Sequence, residues 1–291
     1  MYPPAFEYVS VAAWEEAVAF LDAHAGDDPK VLAGGQSLVP VMNLGLAEPS
    51  HVVDLNAIPV GEIRREGDAL VIPALTHHET LARSALARAD APLLAEAASM
   101  IGNLRVRHRG TIGGSLAHAD PAAELPAALV ATGGVVTTIG PGGVRAIPAG
   151  EFFVGFYETA LGAAELIREV SVPVPPPGTG SAFLEFVRRE GDFAVVGIAA
   201  SLTLDGPGRA AAVRLAACGV GEGPVDLTEA AAPMIGAAAD AGLEAAAAVA
   251  ASLVTPHGGG GVSSSYRRHL VEVLTRRALR LALERAREAL A

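Results

Sequence analysis

The chain has 291 residues, enough for two domains or one large one, and with 51% apolar side chains a sizeable core is easily buried. Its net charge of −11 argues against a nucleic-acid or anionic-membrane surface as the natural partner, because phosphate binding needs a basic face. A single cysteine, Cys218, can form neither an internal disulfide nor an iron–sulfur cluster, and it suits a reducing, cytosolic setting.

The opening residues 1–7 lack a basic n-region and an apolar h-region, so no signal peptide is expected. The spacing of Trp14, Ala17, Val18 and Leu21 predicts a first helix, capped by Ser10 and ended by Gly26 and Pro29. Residues 31–33 read as a short buried strand running into Gly34-Gly35. Ser37 can cap the next helix, with Pro40 in its first turn, and residues 51–54 read as another strand. A hairpin is predicted over 62–65 and 69–72, turning at 66–68. Thr76-His77-His78-Glu79 has the pattern of a capping box. A helix over 93–101 leads into the basic stretch 105–109. Another helix is predicted from about Asp120-Pro121, kinked or shortened by Pro126.

Strands are then predicted over 135–139, 144–147 and 166–172. The stiff stretch 173–178 marks a domain boundary. Beyond it come three strands, over 182–188, 194–204 and 213–220. Three helical segments follow, near 228–241, 243–254 and 266–290, with a glycine-rich break at 257–261. The most apolar long stretch, around 235–254, carries Asp240 and Glu244 and is alanine-rich, which fits a water-soluble helix better than a membrane span.

Two glycine loops carry the chemistry: Ala33-Gly34-Gly35-Gln36-Ser37 and Thr111-Ile112-Gly113-Gly114-Ser115. In each, an extended segment ends, two glycines admit a ligand close to the backbone, and a helix N-terminus follows. Open N–H groups and the helix dipole at that point favour phosphate. Two such loops suit the two phosphates of a dinucleotide. Gly-Gly pairs also serve as plain tight turns, and that reading stands beside the first. There is no Gly-x-Gly-x-x-Gly after the first strand and no Gly-Lys-Ser/Thr, so the usual dinucleotide fold and the P-loop are not supported. The basic stretch 105–109 reads as a solvated loop or as a face for pyrophosphate or an acidic partner. Adjacent His77 and His78 diverge on a helix and make a poor metal pair. His118-Ala119-Asp120 lacks the downstream cysteines of zinc deaminases. Cys218 reads as packing. No nucleophilic, acid–base or metal-ligating residue is assigned.

Three runs resemble one family: residues 30–40, residues 107–126, and residues 188–194, which read Arg188-Arg189-Glu190-Gly191-Asp192-Phe193-Ala194. They are similar, in order, to the medium, FAD-binding subunit of molybdenum hydroxylases such as aerobic carbon monoxide dehydrogenase and xanthine dehydrogenase. The resemblance implies an α+β fold. It has an FAD-binding domain of the vanillyl-alcohol-oxidase (PCMH) type over 1–176, with subdomains of about 1–56 and 57–176. A C-terminal domain over 177–291 follows, with a three-stranded antiparallel sheet and helices. It implies FAD contacts from Leu32, Ala33, Gly34, Gly35, Gln36, Ser37 and Leu38, and from Thr111, Ile112, Gly113, Gly114 and Ser115. Asp120 joins them. Glu124 falls at the adenosine end, Ile101 at an apolar contact, Ile167 near the flavin ring and Phe193 beside it.

The same resemblance places the molybdenum cofactor on a large partner subunit and two [2Fe–2S] clusters on a small one, in a cytoplasmic dimer of heterotrimers. FAD would pass electrons from those clusters to a quinone, NAD or dioxygen. Many members carry a lysine near the position of Glu185, and its absence would tend to lower the flavin potential unless Arg188 or Arg189 substitutes. The cysteine-rich loop of the related hydroxybenzoyl-CoA reductases is missing. Two other readings stand: a self-sufficient flavin oxidase of a small alcohol or amine, and a scaffold subunit without cofactor.

Overall fold

The computed structural model describes residues 2–206, 208–259 and 261–291; Met1, Pro207 and Gly260, the last within the expected glycine break, lie outside the described residues. The chain opens with β1 (Glu7–Ser10), α1 (Trp14–Ala23), β2 (Lys30–Leu32), α2 (Leu38–Asn43) and β3 (His51–Asp54). The three strands form one parallel sheet in the order β1-β3-β2. Helical crossovers are what parallel neighbours require. Ala17, Val18 and Leu21 of α1 are buried, as their spacing dictates. Ser10 does not cap this helix. It ends β1 opposite Asp54, and the Glu16 carboxylate accepts the Ala12 N–H at 2.8 Å instead.

The middle of the chain runs β4 (Arg64–Glu66), β5 (Ala69–Pro73), α3 (His78–Arg83), α4 (Ala85–Asp90), α5 (Pro92–Met100), α6 (Leu104–Arg107), α7 (Ile112–His118), α8 (Glu124–Thr132), β6 (Val135–Gly140), β7 (Gly143–Pro148), α9 (Ala149–Phe152), β8 (Phe153–Gly155), β9 (Glu158–Thr159) and β10 (Leu166–Pro173). Its five-stranded sheet has the order β4-β5-β10-β6-β7, every pair antiparallel. α8 is buried from Glu124 to Ala131 and forms the core's centre. It starts at Glu124, later than the sequence suggests, so Pro126 sits in its first turn, where a missing N–H costs nothing, and the helix is not broken. The capping box does not form either. α3 begins at His78, and Thr76 is held by a bridge in which its carbonyl accepts the Ile112 N–H.

The last part contains β11 (Thr179–Phe186), β12 (Val196–Leu204), β13 (Ala210–Cys218), β14 (Val225–Asp226), α10 (Leu243–Leu253) and α11 (Ser264–Glu288). Its antiparallel sheet has four strands rather than the expected three. The fourth, β14, has only two residues, too few to show a period-2 pattern. The helix expected over 228–241 shrinks to a 3₁₀ segment, Thr228–Met234, interrupted by Pro233. α11 lies on the sheet through Leu270, Leu274, Ala278, Ala282 and Ala286. Gly180 lets it come close, since a Cβ there would stand 2.0 Å from the Ala282 carbonyl oxygen. Phe183, Ala199, Ala216 and Cys218 of this sheet share one apolar core with α5 and α8. Among the described residues no helix is long and apolar enough to cross a membrane.

Candidate functional site

The two glycine loops meet backbone to backbone. A Cβ on Gly34 would stand 2.2 Å from the Arg109 carbonyl oxygen and 2.7 Å from the Gly110 Cα, so only glycine permits this contact. Gly113 packs equally closely on Ala74, 2.6 Å from its Cβ to an added one. Gly35 is at φ +73°, the left-handed region that glycine enters without strain. Between the loops, α7, α8 and the β10 edge lies a cleft of about 600 Å³.

The loops differ in what they leave open. In the second, Ile112, Gly113 and Ser115 donate their N–H groups to the carbonyls of Thr76, Ala74 and Thr111, and Gly114 donates to the Thr111 hydroxyl at 3.1 Å. In the first, the amides of Gly34, Gly35, Gln36 and Ser37 donate to no described group. The Gln36 side-chain amide donates to the Gly34 carbonyl at 3.1 Å, which holds the loop's shape. The Ser37 and Ser115 hydroxyls also have no partner within the described chain, and Ser37 does not cap α2. A row of unpaired N–H groups and two idle hydroxyls on a cleft wall is an anion site. The cleft's donor set fits a dinucleotide diphosphate.

All of the expected contact residues except Leu32 and Ile112 line this cleft. Ile112 is 1% exposed and belongs to the core behind the second loop. Leu32 ends β2, and its side chain supports Gly35 from below. Ile101 and Ile167 offer apolar wall, and Phe193 stands 66% exposed at the mouth, an aromatic ring without cover. Asp120 is held by the Ala122 N–H at 2.8 Å and the Tyr157 hydroxyl at 3.1 Å. Glu124 is buried, and burial pushes its carboxyl up to about 8, helped by the nearby charges of Glu185 and Asp120. Glu185, itself raised to about 7 by burial, is therefore an electrostatic neighbour of Glu124.

Of the lining residues outside the sequence-based set, two, His78 and Glu165, have their ionisation most strongly set by their surroundings. His78 is buried against Gly110, its Nδ1 has no partner among the described residues, and burial holds its imidazole down to about 4, so it is neutral. The sequence showed it only as half of a histidine pair. Its neighbour Glu79 is taken by Arg107 at 2.9 Å and by Arg83. Arg107 also donates to the Ile101 and Gly102 carbonyls, so the middle of the basic stretch is a structural clamp. Glu165 is the second. Arg145 grips it at 2.6 Å through Nε and at 2.6 Å through Nη2, holding the carboxyl down to about 2. Nothing local in the sequence signals that pair, 20 residues apart.

Residues 4–175 match the family model described as the FAD binding domain in molybdopterin dehydrogenase, and residues 181–282 match the CO dehydrogenase flavoprotein C-terminal domain. The 6-hydroxypseudooxynicotine dehydrogenase complex subunit alpha of Paenarthrobacter nicotinovorans is 42% identical, over 99% of this chain and 97% of its own length. Carbon monoxide dehydrogenase from Hydrogenophaga pseudoflava has a solved chain that superposes with a TM-score of 0.94 at 38% identity, covering 98% of this chain and 99% of that one. Quinoline 2-oxidoreductase from Pseudomonas putida 86 superposes at 0.92 with 32% identity, over the whole of both chains. The chain belongs to the family of FAD-binding medium subunits of molybdenum hydroxylases.

Proposed function

We propose that this chain holds FAD in the cleft between its two glycine loops and relays electrons from the iron–sulfur clusters of a small partner subunit to an external acceptor. A large partner subunit carries the molybdenum cofactor and chooses the substrate. The complex is a cytoplasmic dimer of heterotrimers, in keeping with a single, buried, unpaired thiol. Residues 1–176 form the cofactor domain, with subdomains of about 1–56 and 57–176, and 177–291 form the C-terminal domain.

The observation that carries this reading is the run of four unpaired amides from Gly34 to Ser37 on the wall of the cleft. They would hold the diphosphate together with the Ser37 and Ser115 hydroxyls. Ile101 and Ile167 would give the ring system an apolar bed, and Phe193 would cover it from the mouth and exclude water. FAD, when bound, supplies the redox couple; the protein supplies binding, orientation and electrostatics. No side chain needs to act as nucleophile or base toward substrate.

The test is co-expression with the two partner subunits, then separation of this chain. One flavin per chain, released on denaturation and identified as FAD, supports the reading. A colourless chain that fails to take up added FAD, alone and in the complex, overturns it.

A further inference from the structure

Three carboxyl groups converge where the cleft meets the C-terminal sheet. Glu124 opens α8, Asp120 lies four residues before it, and Glu185 lies on β11 in register with Gly197 and, beyond it, Cys218, whose neighbour Gly219 donates its N–H to the Pro121 carbonyl at 2.7 Å. Glu124 is 4% exposed, lines the cleft, and has no hydrogen bond or ion pair with any other described side chain. Glu185 Oε2 is buried without a partner among the described residues. Neither glutamate is ion-paired among the described residues. The other titratable groups facing them offer no positive charge. Asp120 is anchored by Tyr157 and the Ala122 amide. His118 stands beside Tyr157 with ring centres 5.0 Å apart and is pushed toward neutrality by burial. Cys218 on β13 is a buried thiol whose ionisation burial suppresses.

A buried carboxyl and a half-buried one without a cation cannot both ionise cheaply: each charge is poorly solvated and repels the other. We propose that Glu124 and Glu185 form a proton-holding pair, and that Glu124 presents its proton into the cleft as a neutral hydrogen-bond donor to the bound cofactor. This rests on the cleft being the FAD site. The pair thereby does at one end of the cleft, without net charge, what the open amides do at the other. Burial raises Glu185 to about 7, and burial together with the negative charges of Glu185 and Asp120 raises Glu124 to about 8, so the pair gives up its protons from neutrality upward. Above that point a carboxylate would face an anionic ligand, and affinity should fall.

The experiment uses the complex, with flavin bound and after flavin removal. Infrared difference spectra between neutral and alkaline pH should show a carboxylic-acid carbonyl band lost at alkaline pH. The band should shrink in E124Q to the share that Glu185 carries, and in E185Q it should be lost at lower pH, because a repelling charge is gone. FAD affinity of the native complex should weaken about tenfold from neutral to alkaline pH. E124Q, whose amide also donates, should bind FAD with little pH dependence. Absence of the band in correctly folded native protein, or an affinity that stays flat with pH, overturns the proposal. If the band is present but the cleft takes up no FAD, the pair survives and the cofactor assignment fails instead.

Discussion

Arg285 on α11 forks the carboxylate of Glu96 on α5, with Nη2 2.9 Å from Oε1 and Nη1 3.0 Å from Oε2. The same Oε2 accepts the Phe183 amide of β11 at 2.8 Å, and Arg285 Nη1 also donates to the Ser181 carbonyl. One carboxylate thus ties the helical layer behind the cleft to the C-terminal sheet and its long helix. A planar guanidinium meeting a carboxylate at two points is the strong form of such a bond.

Replacing Glu96 by alanine removes this fork and leaves the Phe183 N–H unpaired beside the core. The expected cost is about 2 kcal/mol, the scale of a charged hydrogen bond lost from a partly buried site. E96Q keeps an acceptor for Phe183 and should lose about half of that. Thermal unfolding of the cofactor-free chain checks both. An unchanged melting temperature in E96A would show that the two parts are held together by their shared apolar core alone.

Gly34→Ala puts a methyl group 2.2 Å from the Arg109 carbonyl oxygen, against backbone that has no room to yield. The loops must part, and the amides of Gly34 to Ser37 lose their common aim. FAD affinity is expected to fall at least a hundredfold, about 2.7 kcal/mol. Gly114→Ala meets the Thr111 hydroxyl at 2.9 Å and the Ala33 Cβ at 3.8 Å. A hydroxyl can rotate away, so that loss should be smaller, about tenfold. Flavin-to-protein ratios after gel filtration rank the two.

Both loops were legible in the sequence as a phosphate site or as plain tight turns, and only the family runs around them favoured the first. Phe193 and Glu124 were legible only through the family runs around them, since neither has a local pattern of its own. The rest stayed hidden for physical reasons. Ile112 sits inside the second motif yet points into the core, because α7 begins there and helical rotation turns its side chain away. Thr76 and Glu79 have capping-box spacing, but pairing of residue 77 with Thr111 and the pull of Arg107 override a local cap. The helix expected over 228–241 lost to Pro233 and to turns that apolar composition does not show. Glu165 and Arg145 meet only because β6 and β7 pair and bring Arg145 opposite Thr138.

Ser37 and Ser115 test whether the cleft binds phosphate. Neither hydroxyl has a partner within the described chain, so Ser37→Ala and Ser115→Ala should leave the melting temperature of the cofactor-free chain unchanged. Each should weaken FAD binding roughly fivefold to tenfold, about 1 kcal/mol. Fluorescence titration with FAD measures this. Equal affinity in both variants would mean that the diphosphate lies elsewhere.

Two carboxyls of the cleft should respond to pH in opposite directions. Glu165 is held at about 2, against an ordinary carboxyl value of 4.5, first by its hydrogen bonds to Arg145, with the Gly162 amide and Thr138 adding to them. An acid whose folded pKa is depressed stabilises the fold above 4.5, and that contribution is lost as pH falls from 4.5 through 2. R145M should therefore lose stability near neutral pH, and its stability should fall less between pH 4.5 and 2 than that of the native chain. Glu124 is the reverse case. Its folded value of about 8 lies above 4.5, so the folded chain keeps a proton that the unfolded chain has released. Its burden is absent below 4.5 and grows as pH rises through 8. E124Q should accordingly match the native chain in mild acid and melt at a higher temperature at pH 8. Melting curves of cofactor-free native, R145M and E124Q chains from acid to alkaline pH separate the two effects. If E124Q gains nothing at pH 8, Glu124 ionises in the fold as easily as in water.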